Sequence, residues 1–414
     1  MEEISKGKSP FYPGQPVPVE LFVGRADQID RIMKRGVNQV SQGKPVAIYV
    51  QGEYGIGKSS IAGFTQRLAE KEYGVHGIYA TLGGAKDITD VTKAVLEATL
   101  RSGAFNPTRS DKIRNWLAKY IGEQKLFGFT INAEALKNDA PNFSTPFGML
   151  DFLSEIIEHL KDTGVKGVFL VLDEINGITA DPQFSHFIKG IIDTNALAAT
   201  PVPLLLMICG VEERRREMIQ KHRPVERLFD IVQIDALTEA EMKEFFQRAF
   251  TSVNISIEDF AMSFLTRHSA GFPKIMHLVG DAAYWIDKDN IIDGMDAALS
   301  VITAADDVGT KYVDQQVYKA LKSKDYQSIL SKIAMLGPAE MNFTKEQVAS
   351  KLTEMEKGKF NNFLQRMMKL KVIRGGEIRG EYIFNNRMAR LYIWLESSRK
   401  VPKNKSGGEL SKNK

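Results

Sequence analysis

Gly52-Glu53-Tyr54-Gly55-Ile56-Gly57-Lys58-Ser59 fits the spacing G-x-x-x-x-G-K-[ST], and the apolar run at 46–50 leads straight into it. A buried strand, a glycine-rich turn and a helix-competent stretch from Ser60 onward form the context in which this spacing binds phosphate. The three glycines let backbone N–H groups converge on an anion. The Lys58 ammonium reaches β and γ oxygens, the Ser59 hydroxyl can ligate Mg2+, and the helix starting here adds the positive end of its dipole. Residues 52 to 60 are therefore a candidate cradle for a nucleoside triphosphate.

A second element completes such a site. The run 168–172 is apolar and ends in Asp173-Glu174, at the strand end where an α/β sheet places its ligand crevice. Asp173 is the candidate metal ligand, directly or through water, and Glu174 lies far enough along to polarise an attacking water. A strand also has to leave the core at some polar residue, so the acid pair gains its meaning from Lys58 and Ser59.

The elements that must position these groups follow from hydrophobic patterning. Strands are expected at 46–50, 75–82, 168–172, 204–208 and 230–234, several as continuous apolar runs with helical patterns between them. Such strands are covered on both faces, so the fold class expected is α/β, a P-loop NTPase parallel sheet with right-handed crossovers. Helices are expected at 27–40, 87–102, 109–121 and 146–161, with an insertion at about 103–146 that carries a possible β segment at 125–131.

The domain organisation expected is an extended lead-in at 1–20, set by four prolines, and an ATPase core at 21–237. A helical lid follows at 238–310, opened by a capping-box spacing at Thr238 and Glu241, then a linker helix at 311–322. Residues 323–396 read as three helices and a Gly-containing hairpin, the pattern of a winged helix, before a basic tail at 397–414. The third of these helices presents Lys359, Asn361, Asn362, Gln365 and Arg366, and the wing carries Arg374 and Arg379. Winged helices also bind proteins, so Lys359, Asn362, Arg366, Arg374 and Arg379 are candidates for nucleic acid with a protein contact as the alternative.

Composition bounds the rest. The 414 residues are 26% charged with a net charge of +4, yet residues 323–414 hold 19 Lys and Arg against 9 Asp and Glu, which leaves −6 on residues 1–322. A basic C-terminal quarter suits a polyanion, through counterion release. No stretch approaches the ~20 apolar residues of a membrane span, and the start lacks an apolar signal region, so a cytoplasmic protein is expected. The single cysteine, Cys209, forbids an internal disulfide, and six scattered histidines show no metal-ligand spacing.

The start PheTyrProGlyGlnProValProValGluLeuPheValGlyArg, the loop GlyGluTyrGlyIleGlyLysSerSer and the pair LeuAspGlu together resemble origin-recognition-type AAA+ and STAND ATPases, over roughly residues 10–396. The resemblance implies ATP with Mg2+, base-side contacts from Val23 and Gly24, and a homo-oligomer in which Arg227, or else Arg223, is supplied in trans to a neighbour's γ-phosphate. It further implies lid contacts from Pro273 and Lys274, the latter where such ATPases often carry arginine. The strand at 204–208 ends in Cys209-Gly210, without the polar sensor residue common in that family, which implies slow hydrolysis. Three functions are compatible: an ATP-driven switch or remodeller on duplex DNA, a nucleotide-controlled scaffold whose winged helix binds protein, and a small-molecule kinase. Glu174, the lid and the C-terminal module argue against the kinase.

Overall fold

The computed structural model describes residues 6–13, 22–103, 106–121, 126–127, 130–131, 143–309, 317, 321, 323–337, 340–370, 372–376, 378–385 and 387–399. The chain forms two compact units, one of residues 14–237 and one in which residues 1–13 join everything from Thr238 onward.

The first unit contains strands β1 (Val46–Gly52), β2 (Val75–Thr81), β3 (Leu126–Phe127), β4 (Thr130–Ile131), β5 (Gly167–Asp173), β6 (Leu204–Gly210) and β7 (Asp230–Ile234). Five of them make one parallel sheet in the order β2-β5-β6-β1-β7, while β3 and β4 form a separate antiparallel pair. Every residue of β5 and β6 is buried, which is why both read as unbroken apolar runs. One sheet face is covered by helices Ile88–Arg101, Pro146–Leu160 and Pro182–Leu197, whose Val91, Val95, Leu153, Ile156, Phe184 and Ile188 sink into a common core. Asp87, Thr145 and Asp181 cap these helices through their side chains, each cap contributing about 1 kcal/mol. The helix Lys58–Glu72 packs against β2, β5, β6 and β1.

The helix expected at 27–40 exists with a change of pitch. Ala26–Ile32 is α-helical, Met33–Val37 widens to a π turn, and Asn38–Ser41 is α-helical again. Gly36 lies in that π turn, and a Cβ there would meet Ile48 at 2.9 Å and Leu205 at 3.2 Å, so the backbone presses directly on the sheet. Of the expected insertion, residues 104–105, 122–125, 128–129 and 132–142 lie outside the described residues.

In the second unit, helices Glu239–Thr251, Asp259–Ser269, Pro273–Ile286 and Gly294–Val308 follow one another, and Thr238 with Glu241 closes a reciprocal capping box. The N-terminal segment is fastened to them, which its prolines alone did not foretell. The Lys6 ammonium donates to Asp287 Oδ2 at 2.7 Å and to the Tyr284 carbonyl, Phe11 sits 5.0 Å from the Phe250 ring and 5.9 Å from Phe245, and the Tyr12 amide donates to His277 Nδ1 at 3.1 Å.

Helices Lys324–Ala334, Lys345–Ala349 and Glu354–Lys369 then combine with strands Asn342–Thr344, Ile373–Gly375 and Glu381–Phe384, which pair antiparallel with the last one central. This is the winged-helix arrangement. The middle helix is short, ending at Ala349, and Thr353 caps the next one in a box with Glu356. The helix Arg387–Arg399 packs against both Lys324–Ala334 and Gly294–Val308. Its Arg390 is buried, with the guanidinium donating to the carbonyls of Glu340, Ile333 and Gly337, and burial lowers its pKa to about 10. The linker helix expected at 311–322 lies outside the described residues except for Val317 and Leu321, and residues 400–414 of the basic tail lie outside them as well.

Two buried histidines make this fold sensitive to acid. In the first unit, Ser102 Oγ donates to the Thr99 carbonyl at 2.6 Å, so the 2.8 Å contact with His76 Nε2 must be a donation from the ring. That leaves Nδ1 without a proton, and burial drops the His76 pKa to about 3. In the second unit His277 has to stay unprotonated at Nδ1 to accept the Tyr12 amide, and burial drops its pKa from 6.5 to about 4. The unfolded chain takes these protons first, so stability is lost as pH falls below the unfolded value. For His277 the loss should accumulate between pH 6.5 and about 4 and reach about 3 kcal/mol. Urea midpoints measured from pH 7 to 4 should show that part of the slope vanish in His277→Phe; an unchanged slope would place the proton elsewhere.

Candidate functional site

The turn after β1 is built by sterics. Gly55 and Gly57 have φ of 80° and 103°, and at Gly52 a Cβ would lie 2.7 Å from the Ile234 carbonyl oxygen. Gly57 is the N-cap of the helix Lys58–Glu72, which leaves the first amides of that helix facing outward at the carboxyl edge of the sheet. Lys58 Nζ curls back to donate to the carbonyls of Gly52 at 3.0 Å and Glu53 at 2.7 Å. Burial pushes its pKa down, and neighbouring groups that include Asp173 and Glu53 oppose the shift. The ammonium is thus held on neutral acceptors that a phosphate would outcompete.

Asp173 ends β5 and is buried, with both carboxylate oxygens occupied. Oδ1 accepts the Glu174 amide at 2.8 Å and Oδ2 accepts the Tyr79 hydroxyl at 2.6 Å. The same hydroxyl is 3.4 Å from the carbonyl of Ser59, so a side chain of β2 bridges the two residues proposed as metal ligands. Glu174 itself is exposed and takes a left-handed φ of 57°, and its carboxylate lies over Gly83, where a Cβ would be 2.5 Å from Glu174 Oε2. Hard oxygen donors beside a phosphate cradle fit magnesium, which takes few protein ligands and fills its shell with water and phosphate. Among the described residues no group of three or more His, Cys, Asp or Glu gathers as a metal cage, and magnesium on a triphosphate needs none.

The base-side loop carries a residue that the motif reading passed over. Val23 is buried, Gly24 and Arg25 take φ of 70° and 67°, and the buried Arg25 guanidinium donates to the Ile56 carbonyl at 3.3 Å. This ties the loop named for base contact to the phosphate loop itself. Phe22 stacks on Phe64 of the following helix at 4.8 Å.

No polar side chain stands at the end of β6, where Cys209 is fully buried and burial pushes its thiol up, so it remains a neutral thiol. A cation is present one turn later. Arg215 Nε donates to Gln51 Oε1 at 2.9 Å, Gln51 Nε2 to Gln233 Oε1 at 3.1 Å, and Gln233 Nε2 to Asp235 Oδ1 at 3.2 Å. Gln51 directly precedes the phosphate loop, so this chain of bonds runs along its base. A basic residue in the helix Glu212–Lys221 was the available signal, but which strand it would meet depended on the sheet order.

Arg223 and Arg227 bound a short 3-10 turn and are both exposed. Asp230, one of the partners that could have neutralised Arg227, instead pairs with Arg31 and, at 3.8 Å, with Arg35. Pro273 and Lys274 open the helix Pro273–Ile286 in the second unit, after Gly271 at φ 79°. On the winged helix, Asn361, Asn362, Gln365 and Arg366 are exposed along Glu354–Lys369, and Arg379 is exposed on the wing. Lys359 is half-buried in an ion pair with Asp325, Arg374 reaches Asn385 Oδ1 at 3.5 Å, and Asn361 accepts from Lys345 at 2.9 Å.

The sequence matches no family model and no curated protein. Solved structures do match. The Walker-type ATPase PAby2304 of Pyrococcus abyssi aligns with a TM-score of 0.52 at 15% identity, covering 90% of this chain and 96% of that one. The ORC2 protein of Aeropyrum pernix, in its ADPNP and ADP complexes, gives 0.54 at 11% identity, over 91% and 94%. At such identities the likeness speaks for the fold. Its parallel sheet, glycine-rich phosphate loop and C-terminal three-helix, three-strand module give this chain the P-loop AAA+-like fold of those solved structures.

Proposed function

We propose that the protein is an AAA+/STAND-type switch or remodeller that binds ATP with Mg2+, hydrolyses it slowly and couples the nucleotide to duplex DNA through its winged helix. One observation carries the nucleotide part: Lys58, Ser59 and Asp173 converge at one sheet edge, with Tyr79 bonded to the last and touching the second. In this function the Lys58 ammonium leaves its carbonyls for the β and γ phosphates, and the amides at the helix start share the charge. Ser59 and Asp173 would hold Mg2+, which neutralises phosphate charge when bound. Glu174 swings from Gly83 to orient water, and Arg227 of a neighbouring copy stabilises charge on the transferring phosphoryl group. Val23 and Gly24 complete the nucleotide contacts within this unit. Slow turnover suits a β6 that ends in Cys209 and Gly210. No helix of the described residues is long and apolar enough to cross a membrane.

A second function is favoured by particular surface features. Ile378 at the wing is 73% exposed, Met355 and Met368 are exposed on Glu354–Lys369, and Asp325 neutralises Lys359. Apolar tips and a paired lysine suit a protein surface, and in that case the nucleotide controls a scaffold. Arg366, Arg374 and Arg379 with the exposed amides suit phosphate and base edges.

Lys58→Ala should weaken ATP binding on the order of 100-fold, since it removes a charge-assisted contact to phosphate; calorimetry that finds the parent affinity would contradict the site. Glu174→Gln should bind ATP as the parent does and turn it over ~100-fold more slowly in a phosphate-release assay, and equal rates would remove Glu174 from its role. Replacing Arg366 and Arg379 together by Ala should lower duplex affinity and flatten its salt dependence by about two phosphate contacts, with ATP binding intact. If the double variant holds DNA as tightly as the parent, the winged helix is a protein contact.

A further inference from the structure

Tyr79 reaches the site from β2 and belongs to no part of the phosphate-binding motif. Its register partner is Val171, and Thr81 stands opposite Asp173, so Tyr79 and Asp173 lie on the same sheet face one diagonal step apart. The ring fills space that phenylalanine would fill equally well. What needs explaining is the hydroxyl, a polar group brought into a half-buried place where it loses water.

That hydroxyl has one proton to give. At 2.6 Å the Asp173 carboxylate takes it, in the short distance range of a charge-assisted bond, and the Ser59 carbonyl at 3.4 Å is a weaker second acceptor. With the Glu174 amide on Oδ1 at 2.8 Å, each carboxylate oxygen keeps one lone-pair direction open. Rotation of the carboxylate would break both bonds. Without Tyr79, only the Glu174 amide would hold it.

We propose that Tyr79 is a positioning residue for the divalent cation of the nucleotide complex, holding the Asp173 carboxylate in the orientation that meets hydrated metal and fixing it relative to the Ser59 turn. The proposal rests on the ATP function above and deepens it. Tyr79 touches neither phosphate nor reacting water; it acts through Asp173.

The test is equilibrium binding of a fluorescent ATP analogue to the full chain, once with Mg2+ and once with EDTA. Mg2+ should tighten binding by the parent. In Tyr79→Phe that gain should shrink about 3- to 30-fold while affinity in EDTA stays at the parent value. On an Asp173→Asn background, adding Tyr79→Phe should change the gain no further. An undiminished gain in Tyr79→Phe overturns the proposal, as does an equal loss with and without metal, the mark of a merely structural tyrosine. A further loss in the double variant overturns it too, because the effect would not pass through Asp173. A parent that binds no analogue in either condition overturns the ATP function and this proposal with it, so failure of the function shows in the parent and failure of the tyrosine role alone shows in the variants.

Discussion

The order of strands in the parallel sheet is the constraint on which this site depends. β6 stands between β1 and β5, so the chain leaving β1 crosses both neighbours before it can re-enter the sheet as β2. The helix Lys58–Glu72 makes that crossing over one face of the sheet, from the carboxyl edge where β1 ends to the amino edge where β2 begins, and β2 then carries Tyr79 back toward the carboxyl edge. Tyr79 and Asp173 are thereby brought within 2.6 Å although they stand 94 residues apart. Sheets wound this way gather the ends of distant segments at one edge, and chemistry placed there is positioned by rigid backbone on several sides.

The electrostatics of the site are those of a place prepared for an anion. Lys58 is buried enough to have its pKa lowered, and its donors are spent on two neutral carbonyls. The Asp173 charge is aimed by two donors, and burial keeps Cys209 a neutral thiol. Beneath the phosphate loop the bonds from Arg215 through Gln51 and Gln233 to Asp235 all donate in one direction, from a cation to a carboxylate. Such a chain polarises itself cooperatively and stiffens the strand ends it joins. The second unit is secured by different means. Its N-terminal segment is held by one ion pair, one amide bond to a histidine and a phenylalanine among aromatic rings, and its winged helix is stitched to the following helix by the buried Arg390.

Much of this was legible in the chain. The five strands of the main sheet lie where apolar runs marked them, most cleanly at β5 and β6, which are buried along their whole length. The phosphate loop was legible because glycine is the only residue that meets its backbone and space requirements at Gly55, Gly57 and Gly52. The capping box at Thr238 and the hairpin of the wing were legible because both are local, the first joining residues three apart and the second pairing strands from Ile373 to Phe384 across one loop. Where the middle helix of the winged helix stops is less legible, because Thr353 is compatible with a helix interior and with the cap it forms with Glu356.

Other features have no local signature. Tyr79 lies within a strand pattern and Arg25 follows a glycine, neither with a neighbour in sequence that points to its partner, and Phe11 and Tyr12 lie in a proline-rich lead-in. Lys359 read as an exposed cation until the fold brought Asp325 beside it. Sequence alone determined the strands, the phosphate loop, the acid pair and the helix starts, because these follow from backbone sterics and burial periodicity within a few residues. Only the tertiary structure decided which hydroxyl orients Asp173, which amide meets Arg215 and which charges are already neutralised, because those pairings depend on strand order and packing between segments far apart in the chain.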